Sequence, residues 1–123
     1  MELQLYRRGE RADILVALDK DGASAAHAFI ESLSRAEEVR IVRCISEFAE
    51  RGVIRNEQKF RHEGNGIYVF KGHQARLFCC FLPVATRPSI VLLSGYTKKR
   101  DRMDRAAYDR AMRAYHAIID TGG

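Results

Sequence analysis

Three runs rich in aromatic, aliphatic and β-branched residues follow one another in the second half of this chain: Ile67–Lys71, Ala75–Leu82 and Ser89–Ser94. Only Gly72-His73-Gln74 separates the first two, and only Pro83 to Pro88 the next two. Runs of this composition are strands. A parallel neighbour needs a crossover of roughly a dozen residues, so links this short dictate an antiparallel meander. The rest of the chain must pack around it. Residues 23–33 favour helix, with Ala26, Phe29, Ile30 and Leu33 along one side. Ser34 and Glu37 then form the S-x-x-E pattern of a capping box, in which each side chain satisfies a backbone donor. Val39, Val42, Ile45, Phe48 and Ala49 recur at helical spacing, and Gly52 supplies the left-handed stop. A helical hairpin therefore spans 23–52. Leu3 and Leu5 alternate with polar neighbours in a short first strand over 2–7, and Ile14–Leu18 reads equally well as strand or helix. Asp19 to Gly22 is a turn. Asp104 can cap a last helix over 105–119, with Tyr108, Ala111, Met112, Tyr115 and Ile118 or Ile119 on one side. The order β-α-α-β-β-β-α makes an α+β domain, with helices expected on one face of the sheet and the other face partly open.

A chain of 123 residues without repeats or low-complexity tracts is a single domain over 1–123, large enough to bury a core without metals or disulfides. The odd cysteine count and the adjacency of Cys79 and Cys80, which should face opposite sides of a strand, argue against a disulfide framework. Cys44 sits in the helical pattern. Three buried thiols suit a reducing cytoplasm. There is no CxxC or Cys/His ligand spacing, so neither a zinc site nor another cofactor is expected. The first eight residues lack an apolar signal core, and the apolar run Leu77–Ala85, broken by Pro83, is too short to span a bilayer. A soluble, cytoplasmic protein with no membrane partner is the expectation.

Charge is unevenly placed. Residues 55–105 hold eleven Lys/Arg against four Asp/Glu, a net of +7, while residues 1–54 carry −2 and the remainder is neutral. One segment thus supplies the whole formal excess of +5. A basic face of this kind is the electrostatic footprint of a polyanion partner, most commonly RNA or DNA. The helical hairpin is acidic as well as basic on its polar faces and is not expected to be that surface. Strand alternation puts Arg76 on one face with Phe78, Cys80 and Leu82, and Tyr96 with Ser94, Leu92 and Ile90. An Arg at the start of one strand and a Tyr at the end of its antiparallel neighbour can lie close together. Lys59 and Arg61 precede the meander, and Lys98-Lys99-Arg100 follow it. Gly64-Asn65-Gly66 is a turn and not a phosphate loop, since no helix with Lys-Ser/Thr follows. No Ser-His-Asp set is suggested.

Four motifs in order, Lys59-Phe-Arg61, Gly66-Ile-Tyr-Val-Phe-Lys71, Ala75-Arg-Leu-Phe-Cys79 and Ile90-Val-Leu-Leu-Ser-Gly-Tyr-Thr-Lys-Lys99, resemble the RelE/ParE toxin superfamily, in particular its phage-derived HigB-like branch. The resemblance covers most of the chain and is strongest over 59–100. Val69 and Lys71 stand where the family pattern has Glu and Arg, Cys79 replaces an aromatic, and the segment Lys98–Asp104 lacks the family's Thr-Pro continuation. The resemblance implies a RelE-like α+β fold and the toxin of a type II toxin–antitoxin system. It implies a metal-independent endoribonuclease that cleaves mRNA, mostly in the 70S ribosome A site, by 2′-OH attack giving a 2′,3′-cyclic phosphate. A cognate antitoxin would neutralise it, and operator DNA would be reached only through the antitoxin complex.

Such a site needs a base for the hydroxyl, cations for the developing phosphorane charge and an acid for the leaving 5′-oxygen. Arg76 is the leading residue, because its planar fork matches two phosphate oxygens. Lys59, Arg61 and Lys71 are phosphate clamps or, with a depressed pKa, the base. Tyr96 can be acid, base or a platform on which a base stacks. His62, beside Arg61, can exchange protons near neutrality. Lys98 and Lys99 would hold RNA backbone, while His27, His73 and His116 read as structural or surface groups. Two alternatives remain: a non-enzymatic ParE-like inhibitor of DNA gyrase, and a degenerate relative that binds nucleic acid or antitoxin without activity.

Overall fold

A computed structural model describes residues 1–83, 85–99 and 101–120. Val84 of the apolar run and Arg100 of the basic run lie outside the described residues. The elements are β1 (Glu2–Arg8), β2 (Asp13–Leu18), α1 (Ala25–Ser32), α2 (Arg35–Arg51), β3 (Phe60–Gly64), β4 (Ile67–Lys71), β5 (Ala75–Phe81), β6 (Ser89–Thr97) and α3 (Arg105–Asp120). The domain is α+β with one mixed six-stranded sheet in the order β1-β2-β6-β5-β4-β3. The meander β4-β5-β6 is antiparallel, and β2 lies parallel to β6.

Two strands extend the expected order. Residues 13–18 are a strand and not a helix, wedged between β1 and β6. Ile14 and Val16 face one side and Ala17 the other, all buried. A strand covered on both faces reads as a continuous apolar run, which is why its type was ambiguous. β3 is a short edge strand whose sequence, Phe-Arg-His-Glu-Gly, carries no apolar alternation. One side chain anchors it: Phe60 packs 5.5 Å from Phe48 of α2 and stacks 5.3 Å from Tyr68 of β4.

The helices do not share one face, contrary to expectation. Ala26 and Ile30 of α1 and Ile41, Ile45 and Phe48 of α2 pack with Ile14, Phe70, Leu77, Cys79, Ile90 and Leu92. Ala107, Tyr108, Ala111 and Ile118 of α3 pack on the opposite side with Ile67, Val69, Phe78, Cys80, Val91 and Leu93. The central strands are apolar at both parities, so both faces must be covered. Cys79 and Cys80 do fall on opposite sides. All three cysteines are buried and unpaired. Burial pushes the Cys80 thiol up to about 12 and Cys79 well above the usual thiol range.

Cap chemistry follows the sequence reading at Gly52 and Asp104, adds a cap at Ser24, and departs from the reading at the start of α2. Ser24 Oγ accepts from His27 N–H at 3.0 Å, Asp104 Oδ1 from Ala107 N–H at 3.1 Å, and Gly52 ends α2 at φ 76°. At α2, Ser34 Oγ accepts from Glu37 N–H at 3.3 Å. The Glu37 carboxylate, however, does not return to the cap. It crosses to the β4–β5 turn, where it accepts from His73 N–H (2.9 Å) and Gln74 N–H (2.5 Å).

β6 contains the bulge that places the site. Leu77 pairs with Gly95 but Cys79 with Leu92, so two steps on β5 oppose three on β6. Leu93 and Ser94 consequently both face α3, the Ser94 hydroxyl donating to Ala107 O at 3.5 Å. Tyr96 therefore faces the side of Val91 and Leu93, and not that of Ile90 and Leu92. Gly95 occupies the return step. A methyl there would collide with the Phe29 ring of α1 and lie 2.7 Å from the Arg76 carbonyl oxygen. Gly95→Ala is expected to cost about 1–3 kcal/mol through overpacking, read as a lower urea midpoint at unchanged m-value. Wild-type stability in this variant would show that the bulge does not depend on the Phe29 contact.

Candidate functional site

At one end of the sheet, on the α3 side, Lys71, Arg76 and Tyr96 form a row across β4, β5 and β6: Lys71 is the register partner of Arg76, and Arg76 of Tyr96. Arg61 pairs with Val69 and so faces the same side from β3. Lys98 follows β6, its N–H donating to Gln74 O at 2.8 Å. Asp101, Arg102 and Met103 of the β6–α3 connection close a recess of about 110 Å³ over these groups. Five cations (Arg61, Lys71, Arg76, Lys98 and Arg102) meet two carboxylates there, Glu63 and Asp101.

The cations are held in different ways. Arg61 is directly paired, donating from Nη2 and Nε to Glu63 Oε1 at 2.9 and 3.2 Å. Arg76 directs Nη1 at three backbone carbonyls, Ala75 (3.0 Å), Gly72 (3.4 Å) and His73 (3.5 Å). Its Nε and Nη2 have no partner among the described residues, which leaves a two-donor edge for an anion. Lys71 Nζ donates to Glu57 O at 3.2 Å. Partial burial, together with the charges of Arg61 and Arg76, lowers the Lys71 pKa below the ordinary lysine value, with Glu63 acting the other way. Tyr96 moves upward. Burial keeps its phenol protonated beyond the usual range, although Arg76 and a backbone hydrogen bond from Asp104 pull in the opposite direction. Its ring lies 5.6 Å from Phe78.

Not every sequence candidate reaches this recess. His62 does not stand beside the basic set, because alternation along β3 turns it to the α2 face. There it pairs with Tyr68, ring centroids 4.7 Å apart. Lys59 also turns to that side, 3.3 Å from Glu47 of α2. It borders a separate groove of about 360 Å³ with Arg40, Arg43 and Cys44, and Lys71 reaches both depressions. Lys99 borders a broad depression of about 480 Å³ beside Tyr96 and Arg102. Five charged contributors were missed in the sequence: Glu63, Asp101, Arg102, and the Arg40–Arg43 pair. A residue two places from Arg61 on a strand shares its face, a signal that could have found Glu63. Arg40 and Arg43 lie at i,i+3 on α2, a spacing that shares a helix face.

Among the described residues, no group of three or more His, Cys, Asp or Glu is placed to hold a metal, and no helix is long and apolar enough to cross a membrane. No model of a known family matches the chain, and no curated protein matches it significantly.

The arrangement is suited to a small polyanion such as a phosphate. Lys71 has a folded-state pKa below its unfolded value of 10.5. In the window just under 10.5 the unfolded chain therefore holds more protons, and the penalty that charged Lys71 imposes on the fold is lifted as pH rises through it. A bound anion offsets the same penalty at lower pH. Inorganic phosphate should raise the thermal midpoint at neutral pH. The increment should fade on approach to 10.5, and fade later in Lys71→Arg, whose guanidinium stays charged. Scanning fluorimetry checks this, and identical pH profiles in the two proteins would place Lys71 away from the anion.

Proposed function

We propose that this recess is the RNA-cleaving site of a metal-independent endoribonuclease toxin of the RelE/ParE superfamily. In this reading the helical hairpin, the β4-β5-β6 meander and α3 are the RelE-like part of the fold, with β2 and β3 added to it. The substrate is mRNA in the 70S ribosome A site, the compartment is the cytoplasm, and a cognate antitoxin keeps the toxin inactive. The observation that carries the reading is the cross-strand row Lys71–Arg76–Tyr96 beside Arg61, Lys98 and Arg102. It gathers on one surface a cation with a two-donor edge, a lysine that yields its proton early and a phenol that keeps its own.

Cleavage forms a bond from the ribose 2′-oxygen to phosphorus and breaks the bond to O5′, leaving a 2′,3′-cyclic phosphate and a 5′-hydroxyl. One proton leaves the 2′-hydroxyl, and one must reach O5′. Lys71 takes the first as the base, since burial and its cationic neighbours lower its pKa. Arg76 binds two non-bridging oxygens through its open edge, and Arg61, Lys98 and Arg102 spread the remaining charge. Tyr96 gives the second proton, because its phenol stays protonated; its ring can also stack on an unstacked base. Lys59 and Lys99 track backbone phosphates outside the recess. His62, on the far face, takes no part.

Induction in a bacterial host with mapping of new 5′ ends on a translated mRNA is the test. Wild-type protein should arrest growth and cut in register with codons. Arg76→Ala should lower the cleavage rate about 10²–10³-fold, Tyr96→Phe about 10²-fold or more, and His62→Ala little. A chelator should leave the rate unchanged. Growth arrest without cuts would favour the gyrase-type inhibitor, and soluble protein that causes no arrest a degenerate binding relative.

A further inference from the structure

We infer that Glu37, on α2 and outside the recess, is a positioning residue for Arg76, acting through two peptide groups of the β4–β5 turn. The inference rests on Arg76 being the phosphate ligand. The Glu37 carboxylate accepts from the N–H groups of His73 and Gln74 at 2.9 and 2.5 Å. Arg76 Nη1 donates to the carbonyls of Gly72 and His73 at 3.4 and 3.5 Å. These four groups belong to only two peptide units. His73 N–H and Gly72 C=O share one peptide plane, and Gln74 N–H and His73 C=O share the next. Both peptides are trans, so in each unit the N–H and the C=O point to opposite sides of the chain. Each unit is thus polarised between a carboxylate on its N–H side and a guanidinium on its C=O side. Hydrogen bonds in series strengthen one another through such a group.

The turn is shaped for this contact. A methyl on Gly72 would lie 2.6 Å from Glu37 Oε2 and 3.3 Å from Ile41 Cγ1, so only glycine lets the carboxylate settle on the turn. Gln74 is tied on its other side by Lys98 N–H at 2.8 Å. The arrangement solves a problem that a direct ion pair would create. Glu63 sits on Arg61 and competes with any anion for it. Glu37 orients Arg76 from one peptide group away and leaves Nε and Nη2 open. An acid thereby fixes a cation without neutralising its binding edge.

A double-mutant cycle tests this. Affinity of the recess for inorganic phosphate is measured by NMR titration of wild type, Glu37→Ala, Arg76→Ala and the double variant, with single-turnover RNA cleavage measured alongside. Glu37→Gln is the isosteric variant that guards against misfolding. Glu37→Ala should weaken phosphate binding and slow cleavage about tenfold, Glu37→Gln less, since one oxygen acceptor remains. In the Arg76→Ala background neither measurement should change further. The inference is overturned if Glu37→Ala lowers only the thermal midpoint, if the two effects multiply, or if wild type binds no phosphate. Failure of the nuclease reading looks different. Wild type would then cut no RNA while the phosphate cycle stays non-additive. Conversely, cleavage lost in Arg76→Ala but untouched in Glu37→Gln and Glu37→Ala leaves the nuclease standing without this role for Glu37.

Discussion

β6 is hydrogen-bonded on both sides, parallel to β2 and antiparallel to β5, and an extra residue within it at Leu93–Ser94 controls everything that lies beyond. Up to the bulge, β6 serves the two half-cores alternately. After it, the parity reverses: Gly95 turns to α1, where the Phe29 ring takes the space of a side chain, and Tyr96 turns to the α3 side. Without the bulge the same tyrosine would be buried against the α1–α2 layer, and Arg76 would have Gly95, which carries no side chain, as its partner across the strand pair. Bulges of this kind concentrate beside functional sites because they re-aim one side chain at small cost to the ladder. The backbone irregularity and the charge cluster are therefore one feature.

Crowding cations at that end of the sheet has an electrostatic cost. Two like charges about 4 Å apart repel by roughly 1–4 kcal/mol between bulk water and the protein surface. After burial, the charges of Arg61 and Arg76 are the next causes that lower the Lys71 pKa, as such repulsion requires. The fold relieves the strain with neutral or remote acceptors more than with ion pairs: carbonyls of the β4–β5 turn for Arg76, the Glu57 carbonyl for Lys71, and one carboxylate, Glu63, for Arg61. An arriving phosphate would complete the compensation, which is how a site can be tight for an anion and yet stable without one.

Much of this was readable from residues alone. Helical periodicity and turn chemistry located α1, α2 and α3, and the short links between apolar runs set the meander. Segment charge, strand placement and the family resemblance together pointed to Arg61, Lys71, Arg76, Tyr96 and Lys98, which the structure brings together. The misreadings share a physical cause: each assumed a regular local pattern where tertiary contact decided otherwise. β2 lacks alternation because both its faces are buried, and β3 lacks it because one inserted ring, Phe60, does the anchoring. Leu77 beside Phe78 and Ile90 beside Val91 already required two covered faces, a signal that a one-sided helical layer contradicts. His62 was grouped with Arg61 by chain adjacency, although adjacent residues on a strand point apart. Glu37 matched a capping box, but the turn offered two donors where the cap offered one.

The two cysteines in the middle of β5 carry a further consequence. They are neighbours in the chain, yet the sheet puts one thiol in each half-core, packed against different helices. Because only a thiolate reacts readily and both are pushed toward high pKa by burial, neither has appreciable chemistry while the fold is closed. Their reactivity is thus a function of opening, and of a different opening for each. Departure of α3 would uncover Cys80 and leave Cys79 sealed, whereas loosening of the α1–α2 layer would do the reverse. Two adjacent sulfur atoms would accordingly report separately on any opening of the two half-cores.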